Sequence, residues 1–251
     1  MFEEPFRWME AISTRHSYVR EKLQSGQPVI AVPYQEGALM LGFSPQAGKI
    51  FEVYDRIAMG GMGHPADVEK MRMTLLDMAH LEGFNRSAQD VTIARLLQFG
   101  IAPALKQNFE EVQRAPYLIK LLLLELDPDG KSHFYRLNYD GYWETLTKGG
   151  CIAGEDQVMA WIDKKIEDTP FATFPLDHAL AEVCKLWEEG KKQASKEEEK
   201  DDGDAETAVS LKEAFEKWSL EAAVLCASTQ RRSIYRTLNP QEIEKLKAAV
   251  L

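Results

Sequence analysis

The 251-residue chain carries 40 acidic and 30 basic side chains, a formal net charge of −10, and 45% of it is hydrophobic. That apolar share is enough to bury the core of one large domain or two small ones. The acidic balance argues against a general nucleic-acid binder, which presents a basic face, and no apolar run approaches the ~20 residues of a membrane span.

The first five residues, MFEEP, lack a basic n-region and an apolar h-region, so no secretory signal is expected. Residues 6–24 place apolar or aromatic side chains at 8, 9, 12, 19 and 23, near helical spacing. Gly26 follows where a left-handed cap is expected. Strands are expected at 28–34, at 38–42 and from 49 to 54, and a further strand runs on from Ile57 through the glycines. Short turns join them, which suggests a four-stranded antiparallel meander. A helix is predicted from about Ala66 to Glu82, with Val68, Met71, Leu75, Met78 and Ala79 on one face and Gly83 as its stop. A second helix starts at Ser87 to Asp90, where serine and aspartate suit a first turn. It runs towards Val112 with a kink at Gly100 and Pro103.

A second strand set follows at 117–126, 134–139, 143–147 and 151–153. The run from Leu118 to Leu124 is nearly continuously apolar, as in a strand covered on both faces. Asp127-Pro128-Asp129-Gly130 and Asp140-Gly141 are turn sequences. Helices are expected at about 156–167 and 176–189, then strands at 221–227 and 233–238. A last helix is expected from Pro240 to Val250, with proline suited to its first turn. Residues 190–207 form an acidic, polar segment without aromatics, expected to be a flexible insertion. The order of elements indicates one α+β domain with two helix pairs.

Familiar catalytic patterns are missing. His16, His64, His80, His133 and His178 show no metal-ligand spacing, so neither a metal nor a cofactor is implied. GxGxxG, GxxxxGKS and GxSxG do not occur. The run Met59-Gly60-Gly61-Met62-Gly63 fits close strand packing better than phosphate binding. Cys151, Cys184 and Cys226 are odd in number and widely spaced, and they read as buried, reduced thiols. Gly150-Cys151 would be the junction to inspect for a self-cleaving amidase with a cysteine nucleophile.

One family resemblance runs through nearly the whole chain. The block Lys49 to Asp67 (KIFEVYDRIAMGGMGHPAD) resembles the strand–strand–helix passage of proteasome α-type subunits, especially the bacterial branch. Arg20 to Gly26 looks like the end of that family's leading helix. Pro28 to Gly37 resembles its first strand and turn, and Asn85 to Thr92 the loop opening its second helix. Tyr135 to Gly141 and Arg231 to Leu238, followed by Glu242 to Leu246, look like its reporter strand and its closing strand and helix.

The resemblance implies a four-layer αββα sandwich: two antiparallel sheets face to face, helices outside. It implies a single domain over 1–251, whose residues 1–27 form the gate and leading-helix region. It further implies a cytoplasmic, non-catalytic subunit in a ring of seven identical copies. That ring would stack on catalytic β-type subunits, gate entry and receive the C-terminal tails of an ATPase activator. Nucleic acid and membrane are not expected partners. The β-type nucleophile is a threonine at the first strand's start, helped by an aspartate and a lysine. This chain has Gln27-Pro28 at that start and Phe43 where the aspartate would fall. For the activator tail the resemblance points to a pocket of Lys49, Gly26 and His64, with Lys49 pairing with the tail carboxylate. The loop 43–48 is shorter than in many relatives, and residues 1–5 lack the longer tail with a Tyr-Asp-Arg gate motif. Two other functions stay open: a self-contained amide hydrolase of the same fold, and a diverged ring scaffold without proteolysis.

Overall fold

The computed structural model of the protein describes residues 5–45, 48–198, 209–230 and 232–251. Helix α1 (Pro5–Leu23) leads into the hairpin β1 (Val29–Tyr34) and β2 (Gly37–Ser44). A second hairpin, β3 (Ile50–Tyr54) and β4 (Ile57–Gly63), feeds α2 (Pro65–Asn85). Short helices α3 (Ile93–Leu96) and α4 (Ala102–Glu110) flank a π-helical turn at Leu97–Ile101. Then come β5 (Ile119–Leu126), β6 (Ser132–Asn138), β7 (Trp143–Leu146) and β8 (Gly150–Ile152). The chain closes through α5 (Asp156–Asp168), α6 (Leu176–Glu198), α7 (Leu211–Lys217), β9 (Ser219–Cys226), β10 (Tyr235–Thr237) and α8 (Pro240–Val250).

The strands form two five-stranded antiparallel sheets, ordered β10-β9-β2-β1-β8 and β3-β4-β5-β6-β7. Side-chain alternation shows how they stack. Val29 and Ala31 of β1, Ala38 and Met40 of β2, and Ala223 and Leu225 of β9 join the core shared with the second sheet. Their neighbours Ile30, Val32, Leu39, Leu41, Phe43, Ala222 and Val224 pack instead with α5 and α6. A strand turns successive side chains to opposite faces, so each central strand is sandwiched between a sheet and a helix layer. The second sheet behaves alike. Every residue of β5 is buried, with Lys120 reaching across to the Ala153 carbonyl and Glu125 reaching the opposite way to the Ile93 N–H. The expected αββα sandwich is the observed fold.

Several local expectations need correction. The first four strands are not one meander: β1–β2 lies in one sheet and β3–β4 in the other. Short turns reveal hairpins, but which sheet each hairpin joins is decided by distant partners, β9 for β2 and β5 for β4. Helix α2 runs through Gly83 to Asn85. Gly83 is there for space, because a Cβ would collide with the Tyr54 hydroxyl. The second helix does not start at Ser87. Residues 88–90 make a separate 3-10 turn, and Thr92 is the N-cap, accepting from the Arg95 N–H at 3.4 Å. The kink takes the form of the π turn just before Pro103, which lacks an N–H to give. Helix α6 reaches Glu198 rather than Glu189, supported by a Glu188–Lys192 ion pair at 2.9 Å one turn apart. Residues 199–207 of the acidic segment lie outside the described residues, as do residues 1–4 of the expected gate region. Helix α7 was not expected. Its Ser210–Glu213 capping box is the signal that marks it.

Candidate functional site

A cavity of about 360 Å³ opens where the end of α1, the start of β3 and the start of α2 converge. Leu23, Met62, Pro65 and Val68 give it an apolar wall, while Lys22 and Lys49 bring positive charge. Gly26 lines it too. Contrary to expectation, Gly26 is not a left-handed cap. Its N–H bonds the Leu23 carbonyl at 2.9 Å and its own carbonyl accepts from Gly154 at 3.2 Å. A Cβ here would run into the Met62 side chain and approach the Leu23 carbonyl oxygen to 2.9 Å, so close approach of chain segments requires the glycine.

Lys49 precedes β3 by one residue and is only partly exposed. Its ammonium donates to the Gln27 carbonyl at 3.2 Å. Burial pushes the amine down to about 8, with the Glu221 carboxylate opposing that shift and Lys191 adding to it. Gln27 also lines the cavity, and its Oε1 is buried with no hydrogen-bond partner. Two cations, an unpaired acceptor and an apolar wall suit the end of a peptide chain: a carboxylate, an amide N–H and an apolar side chain.

The third predicted residue sits differently. His64 is exposed and is not among the cavity's lining residues, although Gly63 and Pro65 on either side are. It serves as the N-cap of α2, its Nδ1 accepting from the Ala66 N–H at 3.3 Å.

The first strand's start presents neither a hydroxyl nor a free amine. Residues 24–28 join α1 directly to β1, and Val19 and Leu23 of α1 are buried in the core. Phe43 is fully buried, its ring 4.7 Å from Trp187 and 5.1 Å from Phe215. Cys151, the nucleophile of the amidase alternative, lies fully buried in β8, and burial raises its thiol well above its ordinary value. A reactive cysteine needs the opposite environment. The expectation that all three thiols are buried fails at Cys226, which is only partly buried at the end of β9, 3.1 Å from the Ser228 hydroxyl. A larger hollow of about 520 Å³ runs along β3 beside α2. Its charged side chains are already engaged, Arg72 with Glu69, Asp55 with Arg232 and Glu52 with the Ser233 hydroxyl.

A family profile for proteasome subunits matches residues 25–181, more than half of the chain. The chain belongs to the proteasome subunit family. Its relatives include a "Proteasome subunit alpha" from Streptomyces scabiei, 28% identical over 184 residues, or 70% of this chain and 69% of that one. Those from Streptosporangium roseum and Acidothermus cellulolyticus carry the same name. The former is 30% identical over 65% of this chain and 62% of its own length, the latter 29% identical over 68% and 73%. The α-type resemblance read from Lys49 to Asp67 therefore stands with relatives of that name. In this proteasome-family chain no helix among the described residues is long and apolar enough to cross a membrane.

Sequence reasoning missed Glu221, which does not line the cavity but holds the loop that carries Lys49. Its carboxylate takes the N–H groups of Gly48, Lys49 and Ile50 at 2.9, 2.8 and 3.0 Å. The available signal was an acid inside the apolar strand SLEAAVLC.

Proposed function

We propose that the protein is a non-catalytic α-type subunit of a bacterial proteasome core particle in the cytoplasm. Seven copies form an outer ring, stack on catalytic β-type subunits, restrict substrate entry and dock an ATPase activator by its C-terminal tails. The observation that carries this reading is the Lys49–Gln27 contact. At the first strand's start, where the catalytic β-type subunits carry a free N-terminal threonine, Lys49 meets the carbonyl of an internal peptide, that of Gln27. A peptide nitrogen cannot serve as the base that a free α-amine provides. The lysine is left to bind a carboxylate in the cavity that it shares with Gly26. Coexpression with a β-type partner followed by electron microscopy should show stacked seven-fold rings. Monomers, or discs of another symmetry, would sink the proposal.

Tail capture should depend on pH in a way set by Lys49. The carboxylate pairs with the ammonium, and burial brings that amine to about 8. Affinity is therefore level below that pH and falls above it, by close to tenfold per pH unit once the amine is largely neutral. An ordinary exposed lysine would hold its charge to about pH 10.4. Fluorescence anisotropy of a labelled apolar peptide with a free C-terminal carboxylate, titrated with the assembled particle, measures this. A flat profile up to about pH 10 would take Lys49 out of the capture step.

A further inference from the structure

The loop that presents Lys49 is held by a residue remote in sequence. Glu221 on β9 lies opposite Gly42 of β2, and its side chain leaves the first sheet to meet the start of β3 in the second. One carboxylate oxygen accepts from Gly48, the other from both Lys49 and Ile50. Gly48 is at φ 103°, in the left-handed region, so the backbone turns and presents three successive N–H groups to one anion. Charge-assisted bonds of this kind are roughly twice as strong as neutral ones. They fix the 48–50 backbone and with it the root of the Lys49 side chain.

We infer that Glu221 is the positioning residue of the Lys49 pocket, templating the 48–50 backbone and placing a fixed negative charge behind the loop that carries Lys49. The inference rests on the carboxylate-capture reading of that pocket. Glu221 does not consume the amine it supports: its oxygens are engaged by backbone N–H groups, and the Lys49 ammonium points to the Gln27 carbonyl. Among the described residues, Lys191 from α6 opposes the ammonium, Lys22 from α1 lines the same cavity with Glu21 as its ion-pair partner at 3.9 Å, and Glu221 from β9 is the acid acting on Lys49. A carboxylate ligand entering between Lys22 and Lys49 meets net positive charge, with the compensating anion held behind the loop.

The test is Glu221→Gln in the full-length chain, read by trace acetylation of Lys49 with acetic anhydride from neutral pH to roughly pH 11 and mass spectrometry of its peptide. Loss of the negative charge should move the Lys49 midpoint to lower pH, by roughly one pH unit. A merely structural role predicts the opposite direction, because a loosened loop exposes the lysine and returns it towards an ordinary value. A midpoint that stays put or rises overturns the inference. Glu221→Asp keeps the charge and should hold the midpoint near that of the wild type. In parallel, the labelled carboxylate peptide should bind Glu221→Gln particles about twofold more weakly at pH 7, the loss of cationic Lys49 that a one-unit fall from about 8 produces, and its C-terminal amide should bind neither form. If wild-type particles ignore the carboxylate peptide, the capture reading fails by itself, while the acetylation midpoint still decides what Glu221 does.

Discussion

Replacing Lys49 with Ala should abolish activator-stimulated protein degradation and leave the assembled particle intact. The side chain contributes one hydrogen bond to its own fold, to the Gln27 carbonyl, so little structure depends on it. For a bound carboxylate it is the charged donor in a partly desolvated cavity, where such a bond contributes about 1.5–3 kcal/mol. That is roughly a tenfold to hundredfold loss of affinity per pocket. An activator that engages several pockets at once multiplies the loss, because avidity depends on every site. The measurement is ATP-dependent degradation of an unfolded protein substrate, with native gels to verify assembly. Stimulation at the wild-type level would remove the pocket assignment. Loss of both assembly and stimulation would make Lys49 a structural residue instead.

How far the sequence revealed this molecule follows from the range of each interaction. The leucines of β5 form an unbroken apolar run, and such a run has no solvent face to offer, so burial on both sides was legible. Asp140-Gly141 declared its turn through short-range chemistry: Asp140 accepts from the Tyr142 N–H at 3.0 Å and Gly141 sits at φ 81°. Pro240 marked the last helix, whose bounds match the expectation. Sheet membership was not legible, because β2 finds β9 far along the chain and nothing local encodes that choice. The candidate site divides the same way. Lys49 and Gly26 could be named from the motif they share with a family. What makes Lys49 unusual, its burial and the carboxylate of Glu221 behind it, arises from contacts across some 170 residues: the acid in the apolar strand flags Glu221, but no local pattern says that it meets Lys49. His64 shows the converse hazard: a residue in the right place in a motif whose side chain turns to cap a helix.

The largest effect on stability is expected at Arg136, which joins three layers of the sandwich. The guanidinium stems from β6 and is almost fully buried. It donates to the Cys151 carbonyl on β8 at 2.8 Å, to Glu144 on β7 at 2.9 Å and to Asp163 on α5 at 2.5 Å. Asp163 returns the favour to the first sheet by accepting from the Cys151 N–H at 3.1 Å. Arg136→Met keeps much of the volume but leaves a carbonyl without its donor and two carboxylates without their counter-charge. Breaking a buried pair from one side costs about 3–5 kcal/mol. Asp163 and Glu144 retain 27% and 40% exposure, so water takes up part of the loss and about 3 kcal/mol is the expected figure. For a chain of this size that lowers the thermal midpoint by roughly 6–12 °C. Arg136→Lys should fall between, because one ammonium cannot span the fork. Asp163→Asn in the Arg136→Met background should cost less than in the wild type, since the partner charge is already gone. Additive losses, or an Arg136→Met chain within about 0.5 kcal/mol of wild type in urea, would mean that apolar packing alone holds β8 and α5 to the second sheet.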